Sequence, residues 1–492
     1  MPDCAPPWIA IEPGGIRVTG DDSLARETFV GVAPNHVVIS TSLVEMVETL
    51  RTKGESRVSP FGVSHILGTG FVPFPGTAYE GVHRIGAGDD MHLAMRGDQL
   101  AVGFDNDYPW LLAKSRQDQE PSADHLYDLI AASLRRDLDR CGGEGMLMLS
   151  SGKDSVSLAI ALADLAPDVP CFTYRAGADN FEHEHAARFC KQLGLQHRTI
   201  EMPTDPAVVR RHLTAFFESA VAPSADHAII PFIMCVAESG VASGGIIDGG
   251  GNDGYMGYFA SQRRRKKRVA RIRGRWLVEA AARATRIDSK VNYLARSRTH
   301  SAVPGRNMRH HEIQPIYPAG VDPGDYWYSS TRSLAGMSDG DMAATSMIRQ
   351  LEGARTPEKV RLVARANGME PVLPYCDTDL AQYSFHLPLA SRYVEETRTD
   401  KVLLRQLLSE RVGYDSKVVP GGYFSFEGGP FFEANAAFLR EEILSCDLWE
   451  PAIAGMVDRW IEALPGRPFL FHALLSLFMV SGWRNHSPFL TR

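Results

Sequence analysis

Six small and polar residues between two apolar runs form the segment of this sequence best suited to chemistry. They are Ser150–Ser155 (SSGKDS), which separate Met146–Leu149 from the Ala- and Leu-rich Val156–Leu165. Small residues let a backbone approach a ligand closely. A strand that leads into a helix through such a loop directs free N–H groups and the positive end of the helix dipole at an anion. The loop therefore predicts a phosphate site.

This first loop is not a Walker A motif, which needs Gly, four residues and Gly-Lys-Ser/Thr. Leu147 stands where the first Gly should be, and Asp154 follows the Lys. An acidic residue in a phosphate cradle indicates a bound cation or a different phosphate geometry. The loop resembles the pyrophosphate loop of the N-type ATP pyrophosphatases, which implies cleavage of ATP between its α and β phosphates. We assign six residues to nucleotide binding, with a plain polar turn as the alternative: Ser150, Ser151, Gly152, Lys153, Asp154 and Ser155.

A second glycine-rich loop, Gly249–Gly254, follows the short strand candidate Gly244–Asp248. Its glycines allow the backbone to approach phosphate, so Gly250 and Gly251 are further nucleotide-binding candidates. Asp248 or Asp253 could hold Mg²⁺, and Asp253 with Asp154 of the first loop is the candidate ligand pair. An ordinary glycine turn is the alternative for this loop taken alone.

Alternating strands and helices must position both loops. Strands separated by helices of about ten residues or more indicate a parallel sheet, and ligands of such sheets bind at the carboxyl ends of strands. The predicted elements, after a helix over 123–140, are Met146–Leu149, Val156–Leu165, Cys171–Tyr174, Glu182–Leu193 and His197–Glu201. Glu182 and Glu184 could assist the metal or the nucleotide, or be ordinary exposed acids of their helix.

The chain divides into a mainly β part, residues 1–120, and a second part, residues 121–492, which contains both loops. Arg96–Gln99 predicts a hairpin turn, and the polar Ser115–Ser122 is the predicted boundary. From about residue 340 the sequence predicts mostly helices. They are Asp341–Leu351, Pro357–Ala366, Thr378–His386, Asp400–Arg411, Ala434–Leu448, Pro451–Leu464 and Pro468–Val480.

Composition narrows the classes of function. The chain has 492 residues, a net charge of −7 and seven scattered cysteines without a CxxC pair. Nucleic-acid binding, a disulfide scaffold and a zinc site are therefore not expected. No signal peptide or membrane span is predicted, so we expect a cytoplasmic protein. For the basic run Arg263–Arg275 we expect a solvated helix face, attraction of an anionic substrate, or neutralisation of released pyrophosphate. A homo-oligomeric state is left open.

Several stretches together resemble one family, the asparagine synthetase and β-lactam synthetase group, over most of the chain. The first loop matches its ATP motif. Gly249–Tyr258 is similar to its G-x-G-x-D-E-L-F-G-G-Y loop, and Gly368–Asp377 resembles its G-x-E-x-R-x-P-F-L-D stretch. Three further similarities are Pro223–Asp226, Asp400–Arg405 with its K-x-x-L-R signature, and Ser64–Ile85 within the family's N-terminal domain.

The resemblance implies an α/β fold in two domains. Residues 121–492 would form a parallel-sheet, adenine-nucleotide α-hydrolase-like (PP-loop) synthetase domain with a helical C-terminal part. Residues 1–120 would form a mainly β (α+β, Ntn-like) glutamine amidotransferase-like domain. Glutamine-using members begin with Met-Cys, whereas this sequence begins Met1-Pro2-Asp3-Cys4. An N-terminal nucleophile uses its own amine as base, so we expect this domain to be degenerate and the nitrogen not to come from glutamine.

Other departures concern the catalytic residues. Gly254 stands where the family has Glu, and Val372 stands where it has Arg. β-Lactam synthetases pair a Tyr with a Glu; motif position gives Glu370 for the Glu and general base, but no Tyr lies at a fitting offset. Lys417 lies in a segment similar to their lysine-bearing loop, and Lys401 competes for the same role of stabilising the oxyanion and adenylate. The alternatives are a structural ion pair for Glu370 and an ordinary surface position for either lysine.

These observations predict an ATP- and Mg²⁺-dependent amide ligase that forms AMP and pyrophosphate. A small-molecule or peptide carboxylate is adenylated, and an amine, internal or from a second molecule, attacks it. The setting would be specialised metabolism, as for β-lactam synthetases or lasso-peptide cyclases. The alternatives are an ammonia-dependent asparagine synthetase-like enzyme, an RNA-thiolating enzyme and a non-catalytic scaffold that keeps the fold. An RNA-thiolating enzyme would need paired catalytic cysteines, and this sequence has none at a suitable spacing.

Overall fold

A computed structural model describes most of the chain. The described residues are 8–33, 36–97, 99–114, 117–175, 181–256, 297, 299–300, 303, 307–394, 396–397, 399–419, 426–467 and 469–490. Cys4, the basic run Arg263–Arg275 and Tyr258 of the second motif lie outside them.

Two antiparallel sheets make up the first part of the chain. One has the strand order β1-β2-β6-β7 and the other β4-β3-β5. Buried Val18, Met91 and Leu93 of the first sheet pack with Val30 and Ile85 of the second. The strands are β1 (Trp8–Glu12), β2 (Gly15–Thr19), β3 (Thr28–Ala33), β4 (His36–Ser40), β5 (Val82–Ile85), β6 (Asp89–Arg96) and β7 (Gln99–Asn106). The predicted hairpin at Arg96–Gln99 is confirmed by the pairing of β6 with β7.

A five-stranded sheet forms the centre of the second part, in the order β10-β9-β8-β11-β12. Every neighbouring pair is parallel. The strands are β8 (Gly145–Met148), β9 (Cys171–Arg175), β10 (His197–Glu201), β11 (Gly245–Ile247) and β12 (Glu370–Val372). The prediction of an α/β fold around a parallel sheet is therefore confirmed. A short antiparallel pair, β13 (Tyr393–Val394) and β14 (Thr399–Asp400), lies further along the chain.

Helices connect and cover the strands, and side-chain caps fix several of their starts. Ser122 accepts a hydrogen bond from the His125 N–H, and Asp377 accepts two from its own helix, which satisfies N–H groups that a first helical turn leaves free. The α-helices are α1 (Leu43–Thr52), α2 (Pro60–Thr69), α3 (Pro109–Lys114), α4 (Ala123–Arg140), α5 (Lys153–Leu165), α6 (Glu182–Leu193), α7 (Pro206–Ser219), α8 (Ile229–Ser239), α9 (Asn252–Tyr255), α10 (His310–Ile313), α11 (Pro323–Ser333), α12 (Asp339–Ser346), α13 (Thr356–Ala366), α14 (Thr378–His386), α15 (Leu389–Arg392), α16 (Val402–Val412), α17 (Gly428–Ala434), α18 (Ala436–Leu444), α19 (Ile453–Ala463) and α20 (Leu470–His486). Among the residues the structure describes, no helix combines the length and apolar character that crossing a membrane requires.

Two differences from the sequence prediction concern elements near the site. The single helix expected at Asp341–Leu351 is divided, because α12 passes into a π-helix at Met347–Glu352. Glu370–Val372, interpreted only as part of a motif, is the edge strand β12 of the central sheet. The division at residue 120 falls in the extended segment 117–122 between α3 and α4, and it stays a prediction.

Candidate nucleotide-binding and catalytic site

The first loop lies at the carboxyl end of β8 and is stabilised by its own serines. Ser155 Oγ accepts a hydrogen bond from the Ser150 N–H at 3.0 Å, and Ser150 Oγ accepts one from the Gly152 N–H at 3.0 Å. Helix α5 then begins at Lys153, and no side chain caps it. The start of this helix can therefore donate N–H groups to an anion.

Two tyrosines, which the sequence analysis did not identify, hold this loop from outside. The Tyr414 hydroxyl donates to the Ser151 carbonyl oxygen at 3.0 Å. The buried Tyr375 hydroxyl shares a hydrogen bond with Ser157 Oγ, one turn into α5. Tyr375 belongs to the Gly368–Asp377 motif, so that motif contributes to the site through its aromatic residue.

The second loop packs directly on the first. A Cβ at Gly249 would lie 2.8 Å from Asp154 Cβ, so only glycine permits this approach. Asn252 of the second loop donates its side-chain N–H to Asp154 Oδ1. Gly250 and Gly251 follow in the same turn, and Gly251 has φ +103°, which favours glycine. The structure therefore brings together the two loops that the sequence predicted to form one site.

Lys401 joins the two loops. Its Nζ lies 2.5 Å from Asp154 Oδ2 and 2.5 Å from Asp253 Oδ1, and the residue is only 3% exposed. Burial disfavours the charged form, but the two carboxylates outweigh it and raise the pKa of Lys401 above its ordinary value. The residue also has a left-handed backbone, φ +53°, which is uncommon for a lysine and is typical of functional sites.

Lys417 and Lys153 occupy different surroundings. Lys417 is exposed in a turn, where its own N–H donates to Asp415 Oδ1 at 2.8 Å. Its role in the second step stays a prediction, and Gly421–Tyr423 after it lie outside the described residues. Lys153 Nζ lies 3.8 Å from Oδ1 of Asp400, the residue that precedes Lys401. Burial lowers the pKa of Lys153.

Glu352 is a carboxylate that the sequence analysis missed. It ends the π-helix, is 2% exposed, and its Oε2 accepts a hydrogen bond from the Gly251 N–H at 3.0 Å. Burial, and then the Asp253 carboxylate, raises the pKa of Glu352 to about 8, against the opposing effect of Lys401. A Cβ at Gly254 would lie 3.3 Å from Glu352 Cγ. Glu352 therefore fills the space next to Gly254, the position at which the family motif has a Glu. The absence of an acid at Gly254 was the sequence signal that another acidic residue could take its place.

Glu370 does not reach this site. It is the first residue of β12, where it pairs with Gly245, the first residue of β11, which in turn pairs with Gly145. The first residues of parallel strands lie at the edge opposite their carboxyl ends, where both loops are. Glu370 is also exposed. The structure therefore places Glu370 away from both loops, and its assignment as the general base stays a prediction.

Of the two acids considered on α6, only Glu182 reaches the first loop. Its Oε1 accepts a hydrogen bond from the Ser151 N–H at 3.1 Å. Burial raises the pKa of Glu182 to about 7, against the Ser151 and Ser150 hydrogen bonds that favour its ionised form. Glu184 is exposed.

The donor set at the contact of the two loops fits a small hard cation. Asp154 and Asp253 both contact the Lys401 ammonium, and Asn252 Oδ1 is buried with no donor among the described residues. No group of three or more His, Cys, Asp and Glu side chains in the described part of the chain is arranged to hold a metal by itself. Mg²⁺ in nucleotide sites uses one or two carboxylates and completes its shell with phosphate and water, so these residues match its needs.

The chain was compared with known proteins. Residues 125–414, more than half of the chain, match the model of the family described as asparagine synthase. The match contains both loops, the π-helix and Lys401. The comparison with curated proteins finds no match.

Proposed function

Because the chain belongs to the asparagine synthase family, a family of ATP-dependent amide-forming ligases, we propose that it adenylates a carboxylate and transfers the acyl group to an amine. The carboxylate oxygen attacks the α-phosphorus of ATP and pyrophosphate leaves. The amine nitrogen then attacks the acyl carbon, loses a proton and displaces AMP. The observation that carries this proposal is the contact of the two loops around Lys401, Asp154 and Asp253.

The first step needs positive charge where the leaving pyrophosphate gains negative charge. The start of α5 offers N–H groups, and Lys401 carries a buried ammonium between the loops. Asp154 and Asp253 would hold Mg²⁺, which when bound supplies charge neutralisation for the phosphates. Lys401, buried between these two carboxylates, would carry its positive charge beside the phosphates.

The second step needs a base, because an ammonium is not a nucleophile. Glu352 takes the role predicted for Glu370. Its pKa of about 8 suits proton transfer near neutral pH, and its bond to the Gly251 N–H places the carboxyl group at the second loop. The charged groups around it are Asp253, Lys401 and Lys359. Burial that raises the pKa of a carboxylate toward the working pH prepares it for proton transfer, and Glu352 becomes a more available base as the pH rises toward 8.

The substrates are an acid, small or peptidic, and an amine that is internal or belongs to a second molecule. Glu352 next to Gly254 places the acidic group on a different element from the family motif, which favours a specialised ligase over a standard asparagine synthetase. We place the enzyme in specialised metabolism on this ground.

The test is pyrophosphate release from ATP with a panel of candidate acids. Asp154→Ala should lower the release by about a hundredfold or more, since it removes a carboxylate of the phosphate site. The matched control is Asp164→Ala, an exposed acid near the end of the same helix. Full release by Asp154→Ala would refute the assigned chemistry. Absence of ATP binding by calorimetry in the wild type would instead favour a non-catalytic scaffold.

A further inference from the structure

The π-helix that carries Glu352 is bonded on its other side to the N-terminal part of the chain. Arg349 Nη2 forms an ion pair with Asp89, a residue with no exposed surface at the start of β6. Asp89 is itself fixed, because its carboxylate accepts hydrogen bonds from the Gly86 N–H at 2.8 Å and from Asn106 Nδ2 at 2.9 Å. The anchor for Arg349 is therefore a preorganised group of the antiparallel sheets.

Gln350, the next residue, makes a second attachment. Its Oε1 accepts a hydrogen bond from the Phe74 N–H at 2.9 Å, and its Nε2 donates to the Tyr326 hydroxyl at 2.7 Å. The Tyr326 hydroxyl in turn donates to the Phe74 carbonyl oxygen at 2.7 Å. Gln350 is 3% exposed, so this ring of bonds is formed away from water.

Contacts continue on both sides of the π-helix. Trp110 Nε1 donates to Thr345 Oγ1 at 3.1 Å before it, and Arg84 Nη2 donates to the Gly353 carbonyl oxygen at 3.3 Å after it. The N-terminal part also reaches the second loop, where the Leu24 N–H donates to the Tyr255 hydroxyl at 3.0 Å. The three segments next to the contact of Glu352 with Gly251, which are α12, the π-helix and α9, are thus each bonded to residues before position 115.

We propose that the N-terminal part of the chain is a positioning domain for Glu352, acting through Asp89 on Arg349 and through the Phe74 backbone on Gln350. This inference rests on the proposed function, because it concerns the base of that reaction. A π-helix is a rare conformation that tertiary contacts must maintain. Since each residue of a helix is rotated about the helix axis relative to the residue before it, a shift of one residue would turn Glu352 away from the Gly251 N–H. Bonds at positions 349 and 350 prevent that shift.

Two variants test the proposal with a matched control. Asp89→Asn keeps the side-chain shape but removes the ion pair, and Gln350→Met removes the bonds to Phe74 and Tyr326. Asp90→Asn removes the same charge one residue further along β6, where the side chain bonds to Arg17 and Thr19. The first readout is hydrogen exchange of segment 347–353. The second is the titration of Glu352, followed by NMR of ¹³C-carboxyl-labelled glutamate, with the signal assigned by its loss in Glu352→Gln.

We expect exchange of the segment to become about tenfold faster in Asp89→Asn and in Gln350→Met, because each loses a buried hydrogen-bonding partner. The titration of Glu352 should move toward the ordinary range of a glutamate as water reaches it. Asp90→Asn should change neither. Unchanged exchange and titration in a folded Gln350→Met, or equal changes in Asp90→Asn, would overturn the proposal. If the titration responds as expected but Glu352→Gln keeps full amide formation, the proposed function fails while the positioning role stands.

Discussion

Two ionic clusters of this protein pair carboxylates with cations to different effect. In one, Glu27 accepts from Arg84 at 3.0 Å and from Arg365 at 2.6 Å, and Arg84 also reaches Glu358 at 2.8 Å. In the other, Lys401 lies between Asp154 and Asp253. The first joins the antiparallel sheets to α13, and the second joins two loops at the carboxyl edge of the central sheet.

The clusters differ in how charge is balanced. Around Glu27 three arginines outweigh the cost of burial, and the pKa of Glu27 falls below its ordinary value. Around Lys401 the carboxylates exceed the cations, and the pKa of Glu352 rises to about 8, first because of burial and then because of Asp253. A perturbed pKa alone therefore does not mark a site. Two carboxylates that share one ammonium beside the two loops do indicate a site, because they can bind a further cation or a proton.

The largest difference between the clusters should appear in Lys401→Met. Loss of the Lys401 ammonium leaves two facing carboxylates without their cation and removes positive charge from the phosphate site. Pyrophosphate release should therefore fall by about 10²–10³-fold. Lys191→Met, an exposed lysine of α6, is the control and should release pyrophosphate at the wild-type rate. Equal rates in both variants would mean that the Lys401 cluster is structural, like that of Glu27.

Arg84→Met should give the opposite result, a loss of stability with pyrophosphate release retained. Breaking a buried ion pair leaves Glu27 and Glu358 with less compensation and should lower the free energy of unfolding by about 3–5 kcal/mol. Urea denaturation measures it, and pyrophosphate release well below the midpoint should be retained. Arg440→Met, which breaks an exposed pair with Asp458, should leave the midpoint unchanged. A large fall in release by folded Arg84→Met would erase the distinction between the clusters.

Glu352→Gln should stabilise the protein near pH 7. The folded pKa of Glu352 is raised, so between about 4.5 and 8 the unfolded state loses a proton that the folded state keeps, and stability falls as pH rises through that window. Removing the group should raise the free energy of unfolding at pH 7 by about 1–3 kcal/mol and have little effect at pH 4. Chemical denaturation at the two pH values measures this. Glu27→Gln should have the opposite sign, because the depressed pKa of Glu27 contributes stability that is lost only as pH falls.

The smallest effect is expected for Glu370→Gln. An exposed carboxylate at the opposite edge of the sheet has no contact with either loop, so pyrophosphate release and amide formation should stay within about twofold of wild type. Rates of both steps under saturating ATP measure this. A loss comparable to that of Glu352→Gln would restore the motif-based assignment of the base.

Local sequence patterns predicted a large part of this architecture. Helices Glu182–Leu193 and Thr378–His386 and strand His197–Glu201 have the predicted bounds, because apolar spacing, caps and glycines act over a few residues. The π-helix could not be predicted in this way. It depends on bonds from Asp89 and Phe74, more than 250 positions away in the chain.

The sequence by itself determined the two loops and the strands that carry them, since loop and strand signals are encoded by neighbouring residues. Only the tertiary structure decided which acid and which lysine join those loops. Motif position singled out Glu370 and left Glu352 unnoticed, and it did not separate Lys417 from Lys401. Their positions separate because the register of the parallel strands places Glu370 at the far edge, while the close approach of Gly249 to Asp154 brings Lys401 and Glu352 into a buried space. Burial and charge at short range set their protonation, and both are properties of packing.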